Sequence, residues 1–154
     1  MKCTSSLKID DVDRKILRLL QDDSKITYNN ISESLGISIG TAHNRVKILG
    51  ENGIIKGNFT LLDPSKLGYN LTALILIDVE GSHISEVERE LAKLGEVLSI
   101  YEVTGEYDIA VISRFKDKTQ LKNFIKTTLK VPHIIKTLTN VALDVIKEDF
   151  RVTV

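Results

Sequence analysis

From Thr72 to Lys147 the apolar pattern switches between two periods, and the order of the switches leaves few folds open. Thr72 to Val79 is almost wholly apolar and β-prone. Ile84 to Leu94 reads as an amphipathic helix with Ile84, Val87, Leu91 and Leu94 on one side. Val97 to Thr104 and Asp108 to Phe115 read as strands joined by the tight loop Gly105-Glu106-Tyr107. Lys118 to Leu129 predicts a helix with Leu121, Phe124, Ile125 and Leu129 inward, and His133 to Lys147 predicts a long closing strand. The resulting β-α-β-β-α-β order is that of a ferredoxin-like split βαβ unit. Both helices then lie on one face of a four-stranded sheet, and the other face is bare. A bare face in water alternates polar with apolar residues, and the run Leu74-Ile75-Leu76-Ile77 does not. A second copy of the sheet, related by a twofold axis, is the simplest cover; a partnerless apolar exterior is the alternative.

The first half has helical periodicity only. Asp10 is a good N-cap, with Asp11 and Asp13 in the first turn, where the helix dipole favours anions. Val12, Ile16, Leu19 and Leu20 form one apolar stripe that stops at Asp22-Asp23-Ser24. Thr27 caps a short second helix through Ile31 to Leu35, which Gly36 ends by supplying a left-handed residue. Ser38 caps a third helix from about Ile39 to Glu51, with Ala42, Val46 and Leu49 on its inner face and Gly53 past its end. Ile54 to Leu62 suits a short two-stranded wing around Gly57. The expected fold is therefore α+β: an N-terminal winged helix-turn-helix over residues 1–62, a linker at 63–70 marked by Pro64 and Gly68, and the βαββαβ domain over 71–154.

Composition narrows the function classes. The apolar share of 42% is that of a globular chain. Met1 to Ser6 is polar and no 18-residue apolar run follows, so a soluble, cytoplasmic protein without a membrane span is expected. Cys3 is the only cysteine and is expected in a flexible tail, which excludes an intrachain disulfide and a cysteine-built zinc site. His43, His83 and His133 are far apart in the sequence and in different elements, so no metal site is expected. Net charge is zero, but residues 1–62 carry nine Lys/Arg against seven Asp/Glu, which permits a local DNA-binding face without proving one.

Two helices joined by Gly36-Ile37-Ser38, the second opened by a serine cap, form the helix-turn-helix pattern. The second helix can then enter a major groove wide enough to admit it. Its outward residues after Ser38 are Gly40, Thr41, His43, Asn44 and Lys47. Asn44 suits a bidentate pair with adenine, Lys47 a guanine edge or a phosphate, and Thr41 a thymine methyl. Gly40 costs the helix about 1 kcal/mol relative to Ala; close approach to the DNA backbone and tolerance at a helix start explain it equally well. Arg45 either contacts phosphate or braces the first helix, and Lys56 near the wing adds a phosphate contact. Spacing alone leaves a three-helix bundle with an ordinary solvated face as the alternative.

At this point the whole chain resembles the Lrp/AsnC, or feast/famine, transcription regulators. The resemblance rests on Ile9-Asp10-Asp11-Val12-Asp13-Arg14-Lys15-Ile16-Leu17, Leu35-Gly36-Ile37-Ser38, Asn44-Arg45-Val46-Lys47-Ile48-Leu49 and Gly53-Ile54-Ile55-Lys56-Gly57. In the second half it rests on Val97 to Asp108, and it runs in family order from about Leu7 to Lys147. It implies a DNA-binding regulator, dimers formed through the C-terminal sheets and often gathered into tetramers or octamers, and an amino-acid effector bound between dimers near the loop of the two middle strands. No cofactor is implied. Ala42 stands where a larger apolar residue is usual and Ser32 where Ala is frequent, so looser packing is expected there.

The effector loop fits that implication chemically. Gly105 lets backbone N–H groups approach a carboxylate, and Glu106 or Asp108 suits an ammonium group. Thr137 and Thr139, two apart on the last strand, can offer hydroxyls from one side. Tyr107 either lines the pocket or packs between dimers. The alternative is a hairpin turn whose Gly and Asp serve geometry. Two further functions stay open: a siroheme or haem-precursor decarboxylase, since some of these resemble the family in both domains, and an amino-acid-binding module whose helical half holds a protein. The scattered histidines speak against the enzyme.

Overall fold

The computed structural model describes residues 8–154, so Cys3, the polar start and Leu7 lie outside the described residues. The chain divides into two units. The first comprises the N-terminal segment to Leu61 together with Asp149–Val154, and the second runs from Leu62 to Glu148.

The first unit packs α1 (Asp11–Asp22), α2 (Tyr28–Leu35) and α3 (Ile39–Glu51). Each start is capped by the side chain its sequence supplies. Asp10 and Asp13 form a reciprocal capping box, in which Asp13 N donates to Asp10 Oδ1 at 2.8 Å and Asp10 N to Asp13 Oδ2 at 3.1 Å. Thr27 accepts from Asn30 N, and Ser38 accepts from Thr41 N. Gly36 ends α2 at φ +64, where a side chain would be strained, so the sharp turn into α3 needs this residue. The core is Ile16, Leu17, Ile31, Ala42 and Leu49. Leu17 lies outside the expected stripe; its burial widens the apolar face of α1 to meet both other helices. Ala42 is fully buried, and Ser32 turns its hydroxyl back to donate to Asn29 O at 2.7 Å, leaving no unpaired polar atom there.

Two expectations fail at the edges of this unit. Ile54 to Leu62 forms no two-stranded wing: no ladder partner for it exists among the described residues, and beyond the bonds of Ile54 N and Ile55 N to Leu49 O it is irregular and largely exposed. The end of the chain does not stay with the sheet. Gln21 exchanges two hydrogen bonds with the Val152 backbone (2.8 and 3.0 Å), Arg18 Nε donates to Val154 O at 2.6 Å, and Val154 packs on the helical core. Sequence periodicity carries no signal for such a docking of a short tail.

The second unit contains β1 (Leu71–Val79), α4 (Ile84–Leu91), β2 (Val97–Glu102), β3 (Ile109–Phe115), α5 (Lys118–Thr128) and β4 (Ile134–Val141). Its antiparallel sheet has the order β2-β3-β1-β4, the ferredoxin-like arrangement. The stretch expected to be linker folds with it: Pro64 opens a 3-10 turn at Ser65–Leu67, held by Asp63 accepting from Ser65 and Lys66. Several elements are shorter than their patterns, α4 and β4 most of all, and β2 ends at Glu102. α4 stops at Leu91, with Leu94 packing from the turn beyond, and β4 stops at Val141, opposite Ala73 of β1, with one further bond from Ala142 N to Thr72 O. On α5 the inward line is Leu121, Phe124, Ile125 and Thr128, while Leu129 is 53% exposed because the helix has already ended.

Alternation sorts the faces. Ala73, Ile75, Ile77 and Val79 are buried with Val87, Leu91, Val111, Phe115 and Phe124 beneath the helices. Fully burying each such aliphatic side chain contributes about 1.5–3 kcal/mol. Leu74 and Leu76 point the other way, and their register partners Ile112, Ala110 and Leu138 share that face. Leu74 and Leu138 are 41% and 44% exposed. In the single chain this second face is apolar and uncovered.

Candidate functional site

The serine cap and the Gly36 turn present α3 with one side buried on Ala42 and Leu49 and the opposite side in solvent. Gly40, Thr41, His43, Asn44 and Lys47 are all exposed, as are Ser38 and Lys56. Thr41 is held by its hydroxyl contact with Ser38 at 2.8 Å. His43 meets the edge of the Tyr28 ring, with centroids 5.0 Å apart; Tyr28 is an exposed aromatic beside the row that the sequence reading missed. Lys47 has only a 3.8 Å pairing with Glu51, and the Asn44 amide makes no hydrogen bond to the described residues. Both can turn to a ligand at little cost.

Arg45 is different. Its Nη1 lies 2.7 Å from Asp10 Oδ2 and 2.8 Å from Asp13 Oδ1, so the guanidinium clamps the capping box of α1 to the side of α3. The Asp13 and Asp10 carboxylates raise its pKa, and the Asp10 carboxyl is held below its ordinary range by the Asp13 N–H and then by Arg45. Of the two roles open to Arg45, bracing is the one its contacts serve. Arg45→Met is expected to lower the stability of the helical unit by about 1–2 kcal/mol, since charge-assisted bonds are lost but one partner is solvent-screened. Urea denaturation monitored by circular dichroism checks this; an unchanged midpoint contradicts it.

The β2–β3 connection is built by backbone pairing. Val103 N donates to Asp108 O at 2.8 Å, Asp108 N donates to Ile77 O at 3.0 Å, and Gly105 adopts φ +127. The Asp108 carboxylate accepts from Val79 N at 2.8 Å, a contact across to β1 that occupies one of its oxygens in the fold. Glu106 pairs with Lys136 at 3.1 Å, and that ammonium also lies 4.9 Å from the Tyr107 ring centroid. Glu106 raises the pKa of Lys136, a residue of the loop's surroundings that periodicity gave no reason to select. Thr137 and Thr139 pair in register with Ile77 and Ile75 and so face the helices, whereas Lys136 pairs with Asp78 and faces the opposite way. One chain thus brings Gly105, Glu106, Tyr107 and Lys136 together, but not the two threonines.

The histidines are not all apart, which corrects the sequence reading. His83 and His133 stack at 3.6 Å, because the turn before α4 and the turn before β4 meet at one end of the second unit. His43 belongs to the first unit.

Comparison with known proteins adds to this geometry. Residues 9–56 match a family described as winged helix-turn-helix DNA-binding, and residues 72–152 match the Lrp/AsnC ligand binding domain. An uncharacterized HTH-type transcriptional regulator of Pyrococcus furiosus is 46% identical over 145 residues, 94% of this chain and 98% of its own. The structure of E. coli AsnC superposes with a TM-score of 0.86 at 27% identity, covering 93% of this chain and 97% of that one. A Neisseria meningitidis transcriptional regulator solved in complex with L-Met superposes at 0.83 with 27% identity, covering 93% and 95%.

Proposed function

The chain belongs to the Lrp/AsnC family of transcription regulators, and we propose that it reads duplex DNA with α3 while an amino acid bound at the β2–β3 loop sets its assembly. The observation that carries the first half is the solvent row of α3. Thr41, Asn44 and Lys47 stand on one exposed side of a helix whose diameter, about 10–12 Å, matches the major groove. Ser38, Gly40 and His43 border that row, and Lys56 follows it toward the phosphates.

The second half is supported by the L-Met complex of a structural neighbour and by the loop itself. The open backbone at Gly105 suits a carboxylate, and the Glu106–Lys136 pair offers both signs of charge to a zwitterion. Thr137 and Thr139 face away from that pair, so a pocket using all of these residues draws them from more than one chain. This favours an effector between dimers. The uncovered face around Leu74 and Leu138 favours a twofold dimer as the building block of tetramers or octamers.

A decarboxylase on the same fold is not favoured, since the relatives carry regulator names. No described helix is long and apolar enough to cross a membrane. The DNA-binding role is what supports a cytoplasmic location as part of this proposal.

The test is sedimentation and DNA-binding titration with each of the twenty amino acids. At least one is expected to shift assembly size and to change DNA affinity by about 5–150-fold, the usual range of allosteric coupling. Gly105→Val is expected to remove that response and leave effector-free DNA binding within about threefold, because coupling, not the reading helix, is altered. A panel with no shift in either readout overturns the effector reading.

A further inference from the structure

His83, the residue before α4, and His133, in the turn before β4, come from distant parts of the chain. Their rings lie face to face, 3.6 Å between centroids and 4° from parallel. Glu86 Oε2 is 3.4 Å from His83 Nδ1, and Glu80 Oε2 is 3.4 Å from His133 Nδ1. One donor atom from each of His83, Glu86 and His133 can be chosen so that all three lie within 4.8 Å of one another. Glu80 N also donates to His133 O at 2.8 Å, which fixes the second turn against the first.

Packing alone is a poor account of this cluster. Aromatic rings prefer offset or edge-on contact over a face-to-face sandwich. Both side chains are about one-third exposed (37% and 31%), so little apolar area is gained. His83 Nδ1 is nevertheless shut off from solvent and makes no hydrogen bond within the described residues. His133 is the single non-glycine residue at positive φ among them, at +69, a backbone conformation that L-residues rarely adopt. Strain, an unsatisfied ring nitrogen and two flanking carboxylates converge on one point.

We propose that His83, Glu86 and His133 form a binding site for a divalent transition-metal ion of the borderline class, zinc, cobalt or nickel. Two imidazoles and one carboxylate suit these ions and disfavour magnesium and calcium, which take oxygen ligands. Tetrahedral bonds of about 2.0–2.1 Å set donors roughly 3.3 Å apart, so the three side chains close by an ångström or so. Coordination requires the parallel stack to open, each ring turning about χ2 until its lone pair points at the ion. Glu80, behind His133, orients that ring as carboxylates do behind metal-bound imidazoles. Glu86 is 57% exposed, and the fourth position is open to water.

The experiment uses the full chain, free of any affinity tag, carrying Cys3→Ser and stripped with a chelator. Zinc is titrated against a chromophoric chelator, cobalt is followed by its visible d–d bands, and the melting temperature is read with and without zinc. One ion per chain at low micromolar affinity or tighter is expected, with a melting temperature raised by several degrees and no response to magnesium. His83→Gln and His133→Gln are each expected to remove the cobalt bands and the thermal shift, while His43→Gln keeps both. Where a histidine variant does not fold, Glu86→Gln is decisive: its carboxylate is exposed, and a loss of at least about tenfold in affinity is expected. Binding that is undiminished in these variants overturns the site, and so does folded protein that ignores about 100 µM zinc.

Discussion

Asn44→Ala is expected to reduce operator affinity by about 5–150-fold for each half-site, the roughly 1–3 kcal/mol of one bidentate base contact. A dimer loses the contact twice, so the operator as a whole loses up to the square of that factor. The loss should be confined to the selected sequence: affinity for bulk duplex DNA should change little, because the Asn44 amide carries no charge to a phosphate. Lys47→Ala should behave otherwise if its exposed ammonium meets the backbone. Affinity then falls on all sequences and the slope of log K against log salt flattens by about one unit. Neither substitution should touch stability, since both side chains stand on the solvent side of α3. Fluorescence anisotropy over a salt series measures both terms, and unchanged specificity in Asn44→Ala excludes its assigned role. Arg45→Met provides the contrast, because it acts through the Asp10–Asp13 clamp and should weaken folding and binding together.

Leu74→Asp combined with Leu138→Asp is expected to convert the assembled protein to monomers. Both side chains lie on the sheet face away from the helices and are more than two-fifths exposed in the single chain. The substitutions therefore leave the core of Ile75, Ile77, Val111 and Phe124 intact, and circular dichroism should be unchanged. In a twofold interface every introduced carboxylate appears twice, desolvated and facing apolar surface, at a cost of several kcal/mol per buried charge. The two substitutions place four such carboxylates in the dimer, and even about 1.4 kcal/mol for each, one tenfold step apiece, raises the dimer dissociation constant by at least about a thousandfold. Operator binding should fall with it, because one reading helix no longer tethers a second. Analytical ultracentrifugation decides the matter. A double variant that sediments like the parent removes the sheet face from the account.

Much of the fold was legible because it depends on local chemistry. Asp10, Thr27 and Ser38 each announced a helix start, and each side chain accepts the backbone N–H that its position requires. The order of strands and helices in the second unit was equally readable, since periods of 2 and 3.6 leave different patterns. The failures are tertiary. Nothing local marks Val154 as a neighbour of the first core, or tells that Ile54 to Leu62 lacks a ladder partner among the described residues. Leu129 fits the α5 period, yet the helix ends one residue before it and Thr128 is buried in its place.

The candidate sites show the same division. The outward row of α3 followed from helical geometry once Ser38 was recognised as its cap. Lys136 beside Glu106, and His83 against His133, arise from strand register and from the meeting of two turns. Single-sequence patterns hold no record of such long-range contacts. The two threonines illustrate the limit of period-2 reasoning: Thr137 and Thr139 do share a side, but only the pairing with Ile77 and Ile75 reveals that it is the helix side.

The central claim is that α3 recognises base sequence. Selection of bound fragments from a random-sequence duplex pool, followed by titration of the enriched fragment at near-physiological salt, tests it most directly. The expected result is a two-part enriched site, with half-sites about one helical turn or a multiple of it apart, held at least about a thousandfold more tightly than bulk DNA. A pool that emerges without enrichment, from protein shown to be folded, contradicts it.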